Sequence, residues 1–586
     1  MPASLRRSRS LLLLSIATLV LGPATPGMSR PPSGKVASAA ESPVRCLRGE
    51  TGYAPPVYPA IPAAPPPPVS YDVASEPQAS AQEIVVTSQR VAPSVQASPI
   101  AISPMRAPAG YPSAVAEDRE RYAGKDVAGI FAVAQQPVST FSIDVDTGSY
   151  ANVRRFLTQG QTPPEAAVRT EEMLNYFHYD YPLPADRSRP FSVTTDMAAT
   201  PWNPDTRLLR IGIKGYDIPR EQRPAANLVF LVDVSGSMDE PDKLPLVKSA
   251  LAMLADRLTP RDKVSIVVYA GAAGIVLEPT SNPAYVKAAL DCLQAGGSTA
   301  GGQGMELAYA TARAHFIPGG VNRVIMATDG DFNVGTSSDE GIEAIVKKNR
   351  ESGITLTTLG FGQGNYNEAM MEHVADVGNG NYAYIDSALE AQKVLDEEMA
   401  ATLFTIAKDV KIQIEFNPAL VREYRLIGYE NRALAEEDFD NDKVDAGDIG
   451  AGHQVTALYE IVPADAKGWL PARHFEGNRP AAASSLSSGD LAWLKLRYKL
   501  PDGDRSMLIE RPVPAALAAS AQAPRGDMAF ASAVAAFGQK LRGDKYLGSF
   551  SYADIRRLAG DQHGYLREEF LKLTSLAGKG QVASAE

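Results

Sequence analysis

The sequence predicts an α/β fold: a mostly parallel, Rossmann-like sheet with helices on both faces, inserted in or flanked by a β-sandwich-like domain and followed by a small helical unit. Between Leu228 and Ile385, short apolar runs alternate with segments of helical periodicity, as βα units do around a parallel sheet. From Val410 to Arg511, apolar and polar residues alternate with a period of two, which is typical of half-buried antiparallel strands. Helical periodicity returns between Met528 and Leu576.

The length requires several domains. The chain has 586 residues, whereas a single hydrophobic core stops growing near about 250 to 300 residues. We therefore divide the chain, in order, into a signal peptide (1–24), a Pro/Ala-rich disordered tether (25–127), a helical N-terminal extension (128–190), strands leading into the core (191–220), the α/β core (221–404), a β-rich domain (405–515) and a C-terminal helical unit (516–586).

The first residues predict export. Arg6, Arg7 and Arg9 precede the mainly apolar run Leu11–Leu21, and small residues follow at Gly22-Pro-Ala24. Such a run is too short to span a membrane, which takes about 20 residues, and it has the layout of a signal peptide. The paired arginines lack the flanks of a twin-arginine signal, so ordinary secretion is favoured. We expect a mature chain in the periplasm or cell envelope that is soluble or peripherally attached.

The tether is rich in Pro, Ala, Ser and Val, including the run Ala63-Ala-Pro-Pro-Pro-Pro68. A segment of this composition buries too little apolar area to offset its ordering entropy. One β-prone island, Glu83–Val91 followed by Ser98–Ser103, resembles the start of the plug of TonB-dependent outer-membrane receptors. The resemblance implies a strand that docks an envelope protein, with association at the outer membrane as one outcome, and a β-prone patch in a linker is the alternative.

The chain contains two cysteines, Cys46 in the tether and Cys292 on a helix-like stretch. An exported protein can form disulfides, but a Pro-rich tether is a poor place for a structural one. We therefore predict that Cys46 and Cys292 are not bonded to each other. The residues before Cys46 do not form a lipoprotein cleavage motif, so a lipid anchor there is disfavoured.

Composition and motifs argue against several function classes. The formal net charge of -11 disfavours nucleic-acid binding, which calls for a basic face. The sequence lacks H-E-x-x-H, G-x-S-x-G and P-loop motifs, so zinc hydrolase, serine hydrolase and nucleotide-binding chemistry have no support. Asp146-Thr-Gly-Ser149 looks like an aspartic protease loop, but no second copy exists, and we interpret it as a turn and helix N-cap. We therefore predict that the protein is not an enzyme.

A buried apolar strand beginning at Asn227 ends at Asp233, and Ser235 and Ser237 follow. The carboxyl end of a strand in an open α/β sheet is where ligands bind. One carboxylate and two hydroxyls offer the hard oxygen ligands that suit Mg²⁺. Asp and Ser also cap helices, and a helix is predicted from about Lys243, so capping is the alternative for this motif taken alone.

Two later loops favour a metal site over helix capping. Gly296-Gly-Ser-Thr-Ala300 precedes a helix-like segment and contains Thr299, while a second buried strand ends at Asp329. Three oxygen-rich loops at one edge of a βα array are difficult to explain by capping alone. We expect Mg²⁺, with Mn²⁺ or Ca²⁺ as alternatives, at a site formed by Asp233, Ser235, Ser237, Thr299 and Asp329.

The pattern Asp233-x-Ser235-x-Ser237, Thr299 and Asp329-Gly330 resembles the metal-ion-dependent adhesion site of von Willebrand factor A (VWA) domains. The resemblance implies that the two serines and either the threonine or the second aspartate contact Mg²⁺. The aspartates would often act through water, and a carboxylate from a protein partner would complete the octahedron.

From about Phe141 to the end, the order of segments resembles that of bacterial YfbK-type VWA proteins, including a helical N-terminal extension over 128–190. The resemblance predicts an exported binding or scaffold protein that captures a Glu or Asp side chain of a protein partner. A purely structural metal, or a metal-dependent hydrolase, remains the alternative.

Overall fold

Three β-sheets organise the part of the chain that the computed structural model describes, residues 42–45, 120–299, 301–330, 339–398, 401, 403–471, 489–501 and 503–585. The predicted signal peptide, most of the tether and the β-prone island Glu83–Val91 lie outside these residues. The elements before the central sheet are, in chain order, β1 (Phe131–Ala132), β2 (Val138–Ser142), α1 (Gly148–Thr158), α2 (Thr170–Asn175), β3 (Phe191–Ala199) and β4 (Arg207–Gly215).

The central domain is a sheet of six strands with the order β10-β9-β8-β5-β6-β7, in which only β7 runs antiparallel to its neighbour. Its elements are β5 (Ala226–Asp233), α3 (Leu244–Ala255), β6 (Lys263–Tyr269), β7 (Ala273–Thr280), α4 (Pro283–Asp291), α5 (Gly301–Ala314), β8 (Val321–Thr328), α6 (Asp339–Glu351), β9 (Thr355–Phe361), α7 (Glu368–Val377), β10 (Tyr382–Ile385) and α8 (Ala388–Gln392).

Strand β5 is buried at every position because its two faces pack against different cores. Leu228, Phe230 and Val232 lie in one hydrophobic cluster together with the apolar face of α3, while Val229 and Leu231 lie in a second cluster with α5. Successive side chains of a strand point to opposite faces, so helices on both sides require a continuous apolar run. The predicted mostly parallel sheet with helices on both faces is confirmed.

The remaining strands form a β-sandwich. They are β11 (Thr405–Phe416), β12 (Val421–Ile427), β13 (Ala433–Leu434), β14 (Gly447–Gly450), β15 (Gln454–Pro463), β16 (Asp490–Lys499) and β17 (Ser506–Pro514). One sheet has the order β1-β12-β15-β4-β3 and the other β13-β2-β11-β16-β17, with β14 paired to β11. Aromatic rings join the two sheets, with centroids 6.3 Å apart for Phe141 and Tyr459 and 5.0 Å for Phe191 and Tyr498. Both sheets use strands from before and after the α/β core, so the core is inserted in the sandwich.

The N-terminal extension differs from the helical unit that the sequence predicts. Strands β1 and β2 lie within it, paired to β12 and β11, and only α1 and α2 are helical in the predicted manner. Short strands such as β1 are stabilised by a partner distant in sequence, which a local pattern does not reveal. The extension is therefore part of the sandwich.

Residues 42–45, which the sequence places in the tether, lie against the edge strand β7. Val44 is fully buried and forms an isolated bridge with Leu277, and the Glu278 amide donates to the Pro43 carbonyl at 3.1 Å. Cys292, next to α4, is disulfide-bonded, and Cys46 is the only other cysteine of the chain. The prediction against this disulfide is wrong, because pairing with an open sheet edge brings a remote, Pro-rich segment to the core.

The C-terminal unit consists of α9 (Ala515–Ala519), α10 (Gly526–Leu541), α11 (Tyr552–Ala559) and α12 (Tyr565–Ala585). The sequence predicts continuous helical structure from Tyr552, but the chain breaks between α11 and α12, where Gly560 and Gly564 adopt φ of 67° and 92°. Glycine reaches this left-handed region without steric cost. Phe530 and Phe570 pack edge-on against Phe177, which fastens the unit to the N-terminal extension.

Candidate metal site at the carboxyl edge of the central sheet

Asp233 is the last residue of β5 and is fully buried. Its Oδ1 accepts a hydrogen bond from the Ser235 amide at 2.8 Å, and its Oδ2 accepts one from the Thr328 hydroxyl at 3.1 Å. Burial raises the pKa of Asp233 to about 6, the nearby charge of Asp329 adds to the increase, and these hydrogen bonds oppose it. A buried carboxylate with a raised pKa is one that a cation would stabilise.

The two serines place their hydroxyls side by side. Ser235 Oγ and Ser237 Oγ are 3.0 Å apart; Ser235 is buried and Ser237 is half-buried. Neither serine caps α3, whose N-cap is Lys243 and has no side-chain cap. The short 3₁₀ turn Gly236–Asp239 after Ser235 also lacks a side-chain cap. The capping alternative for the D-x-S-x-S motif therefore finds no support in these contacts.

The loop that carries Thr299 is hydrogen-bonded to the serine turn. The Gly236 amide donates to the Gly297 carbonyl at 3.0 Å, and the Gly296 amide donates to the Val234 carbonyl at 2.8 Å. Gly297 has φ of 87°, a conformation that a side chain would oppose. These bonds hold the loop, with half-buried Thr299 at its end, against the turn that presents the serines.

Asp329 follows β8, the neighbour of β5, and is buried. Its Oδ2 accepts hydrogen bonds from Lys243 Nζ at 3.0 Å and from Asn365 Nδ2 at 3.1 Å. The following residue, Gly330, has φ of 89°, and a Cβ there would collide with the amide nitrogen of Asn367. Close packing of two loops therefore requires glycine at this position.

The sequence did not identify Lys243 and Asn365 as neighbours of the site. The pattern marks Lys243 only as the start of a helix, and Asn365 lies in a loop after β9 that was not singled out. The available signal was positional: Gly-Gln-Gly-Asn-Tyr-Asn is one more polar loop at the carboxyl end of a parallel strand.

The end of the tether reaches this same loop. The Arg121 amide donates to the Tyr366 carbonyl at 2.9 Å, and the Glu368 amide donates to the Arg121 carbonyl at 3.1 Å. Glu120 accepts from the Gly364 amide at 2.9 Å. This end of the tether therefore lies beside the candidate site.

The oxygen atoms present fit a hard divalent cation. Adjacent ligands of an octahedral Mg²⁺ ion, at about 2.1 Å from the metal, are about 3 Å apart. The two serine hydroxyls have this spacing, 3.0 Å, and the buried carboxylates of Asp233 and Asp329 lie at the ends of the neighbouring strands β5 and β8. Among the described residues, no group of three or more His, Cys, Asp or Glu side chains is arranged to hold a metal ion. The candidate site is of another kind, in which neutral oxygens predominate.

A buried cluster of acids lies where the core meets the N-terminal extension and the sandwich. Arg169 is bonded to Glu172 at 2.8 Å and to Glu368 at 3.3 Å, and it also contacts Glu372. Glu171 lies in the same region. Burial is the first cause that raises the pKa of Glu171 and Glu368 to about 8 and that of Glu172 to about 7, with neighbouring carboxylates adding to it.

Arg432 supplies the second positive charge of this cluster. It contacts Asp144 at 3.2 Å, Asp146 at 3.1 Å, Glu372 at 3.5 Å and Asp376 at 2.7 Å. Asp146 also accepts from the amide of Tyr382 at 2.9 Å. The expected helix cap is absent, since the N-cap of α1 has no side-chain hydrogen bond, and Asp146 instead fastens α1 to β10 and to the sandwich.

Comparison with known proteins identifies the class and then the family. The von Willebrand factor type A domain model matches residues 227–398, and a model described as von Willebrand factor matches residues 116–210. The chain is therefore a VWA-domain protein. A model described as the C-terminal region of the uncharacterized protein YfbK matches residues 401–579. The chain is also 50% identical over 470 residues to YfbK of Escherichia coli (strain K12), covering 78% of this chain and 81% of that protein. The chain belongs to the YfbK family, as its sequence predicts.

Similar solved structures include a conserved hypothetical protein BatB from Bacteroides thetaiotaomicron, with 26% identity and a TM-score of 0.26 over 30% of this chain and 97% of that one. A von Willebrand factor type A protein from Catenulispora acidiphila has 17% identity and a TM-score of 0.38 over 68% of this chain and 91% of that one.

Proposed function

We propose that this protein is an exported binding or scaffold protein of the cell envelope that captures an acidic side chain of a protein partner through a Mg²⁺-dependent adhesion site. The observation that carries the proposal is the pair of serine hydroxyls 3.0 Å apart, next to the buried carboxylates Asp233 and Asp329 at the carboxyl edge of the sheet. Mn²⁺ or Ca²⁺ are alternative ions.

In this proposal Ser235, Ser237 and Thr299 hold the ion, and Asp233 and Asp329 support it through water and hydrogen bonds. The bound ion would supply an open coordination position for an incoming carboxylate. The described contacts support this division of roles, because each aspartate is already hydrogen-bonded: Asp233 to Ser235 and Thr328, and Asp329 to Lys243 and Asn365.

The same contacts favour binding over catalysis. A hydrolytic Mg²⁺ site needs a group that activates water, within hydrogen-bond reach of it. Both aspartates are buried and accept hydrogen bonds from protein donors, which supports a role in holding the site rather than in taking a proton from a substrate. We therefore propose that the protein is not an enzyme.

Export and attachment rest on the sequence. The predicted signal peptide at 1–24 lies outside the described residues and supports a place in the periplasm or envelope, with peripheral association through the tether. Within the described residues, no helix has both the length and the apolar character needed to cross a membrane. The acidic net charge supports a protein partner rather than nucleic acid.

The test is capture from envelope extracts on the immobilised full chain, in excess Mg²⁺ or in excess EDTA. We expect a defined partner to be retained in Mg²⁺, released by EDTA, and lost with Ser235→Ala. Ser249→Ala is the matched control, because that serine is exposed on α3 and its hydroxyl donates to the Pro245 carbonyl at 3.1 Å.

Thermal unfolding of the same variants separates the alternatives. A Ser235→Ala variant that unfolds like the parent but captures nothing supports adhesion. A variant that loses its fold together with Mg²⁺ indicates a purely structural metal, and capture that is undiminished in EDTA contradicts the proposal.

A further inference from the structure

Lys243 is an unusual lysine because its charge is buried beside the candidate metal site. Its side chain is only 6% exposed, and its ammonium lies 3.0 Å from Asp329 Oδ2 and 3.1 Å from Asn365 Oδ1. Gly362, with φ of 74°, makes room for the lysine stem, since a Cβ at this position would collide with it. A lysine usually keeps its ammonium in water, so this placement requires its partners.

The ammonium changes the charge of the site. The donors proposed for the ion comprise two carboxylates, Asp233 and Asp329, and three neutral hydroxyls, so without the lysine the charge would be two negative. With the Lys243 ammonium included, the empty site has a net charge of one negative. A divalent ion would then give the loaded site one net positive charge, and in a buried site such a charge is poorly screened.

The Lys243 ammonium cannot contact a bound partner directly. It is covered by the 362–367 loop and is held by Asp329 and Asn365, so an incoming side chain does not reach it. Its influence on a ligand must therefore be electrostatic, exerted through Asp329 and the ion.

We infer that Lys243 couples the metal to the acidic partner. The ammonium weakens the binding of a divalent ion to the empty site and leaves the loaded site cationic, so that a carboxylate ligand restores neutrality and retains the ion. The consequence is that the ion and an acidic side chain bind cooperatively, and a neutral ligand gains no such advantage. This inference rests on the proposed function and adds to it the device that selects an anion.

The experiment is isothermal titration of MgCl₂ into the full chain, in sodium chloride or in sodium acetate of equal ionic strength as the carboxylate probe. The variants are Lys243→Met, Lys243→Gln, which retains a hydrogen-bond donor without charge, and Lys243→Arg, which retains the charge. Lys287→Met is the matched control, because Lys287 is exposed on α4 and pairs with Asp256 away from the site. Urea unfolding of each variant shows that it is folded.

We expect Lys243→Met and Lys243→Gln to bind Mg²⁺ about tenfold more tightly than the parent in chloride, as loss of a nearby buried charge implies. Acetate should raise the Mg²⁺ affinity of the parent and of Lys243→Arg more than that of the uncharged variants. If the parent binds Mg²⁺ and the uncharged variants bind it equally well with the same response to acetate, the inference is overturned and the proposed function stands. If neither the parent nor any variant binds Mg²⁺, the proposed function falls and the inference with it.

Discussion

Replacing Arg432 by Met is expected to lower the free energy of unfolding by about 3 to 5 kcal/mol, the cost of removing one partner from a buried ion pair. The guanidinium contacts Asp144, Asp146, Glu372 and Asp376, and its side chain is 13% exposed. Without it the buried carboxylates of Asp144, Asp146 and Glu372 would face one another with little solvent to screen them. Urea denaturation near neutral pH measures the loss.

Arg497→Met is the matched control, because it also removes an arginine bonded to two carboxylates. Its partners, Asp440 and Asp442, are 84% and 42% exposed, so solvent already screens these pairs. Exposed pairs contribute about 0 to 1 kcal/mol. Equal losses in the two variants would show that the Arg432 cluster does not stabilise the junction between the core and the sandwich.

Raising the pH from about 6.5 to about 8.5 is expected to destabilise the protein by an amount on the order of a few kcal/mol, through the raised pKa values of its buried acids. Glu171 and Glu368 have a pKa of about 8 and Glu172 of about 7, against an ordinary value of 4.5. A carboxyl whose pKa is higher in the folded state contributes stability below its unfolded pKa and loses it as the pH rises through its folded pKa. Burial lowers the pKa of His453 to about 3, which acts in the opposite direction but only below about pH 6.5.

Glu171→Gln isolates this effect. Within the described residues, Glu171 Oε2 is buried without a hydrogen-bond partner, and the carboxylates of Glu430, Asp144 and Glu172 raise its pKa further. The nearly isosteric amide removes the charge that alkaline pH would create. We therefore expect a larger free energy of unfolding at about pH 8.5 and a smaller dependence of that free energy on pH. Glu306→Gln, exposed on α5, should change neither. Stability that is constant over this pH range, or a Glu171→Gln variant with the parental slope, would contradict the prediction.

Local pattern predicted the central sheet well because each element there carries its own signal. The strand Lys263–Tyr269, the helix Glu368–Val377 and the strand Tyr382–Ile385 lie in the region where the sequence predicts alternating strands and helices. A continuous apolar run fixes a strand buried on both faces, and a helical period fixes the helix that covers it. The two-residue period also predicted antiparallel strands after the core, although not which strands pair with one another.

Contacts between segments distant in sequence were not predictable in this way. Arg154 lies on α1 and is buried, bonded to Asp386, Glu390 and Glu569. Each partner lies more than 200 residues away, and no local period records such a pairing. The disulfide of Cys292 was missed for the same reason.

The candidate site shows the same division. Asp233, Ser235 and Ser237 lie at the end of a strand that its apolar run predicts. The loops of Thr299 and Asp329 were predicted from their positions at the same edge of the sheet. Lys243 reaches the site only because Gly362 in a remote loop leaves room for its stem. The sequence pattern alone therefore did not reveal the positive charge of Lys243 at the site.

Crystals of the full chain grown with MnCl₂ test the central claim most directly, since anomalous scattering locates Mn²⁺ independently of the protein atoms. We expect one strong peak at a coordination distance of about 2.2 Å from both Ser235 Oγ and Ser237 Oγ, and no peak in crystals of Ser235→Ala. The absence of a peak between the two serines in the parent protein at saturating Mn²⁺ would contradict a metal-dependent adhesion site.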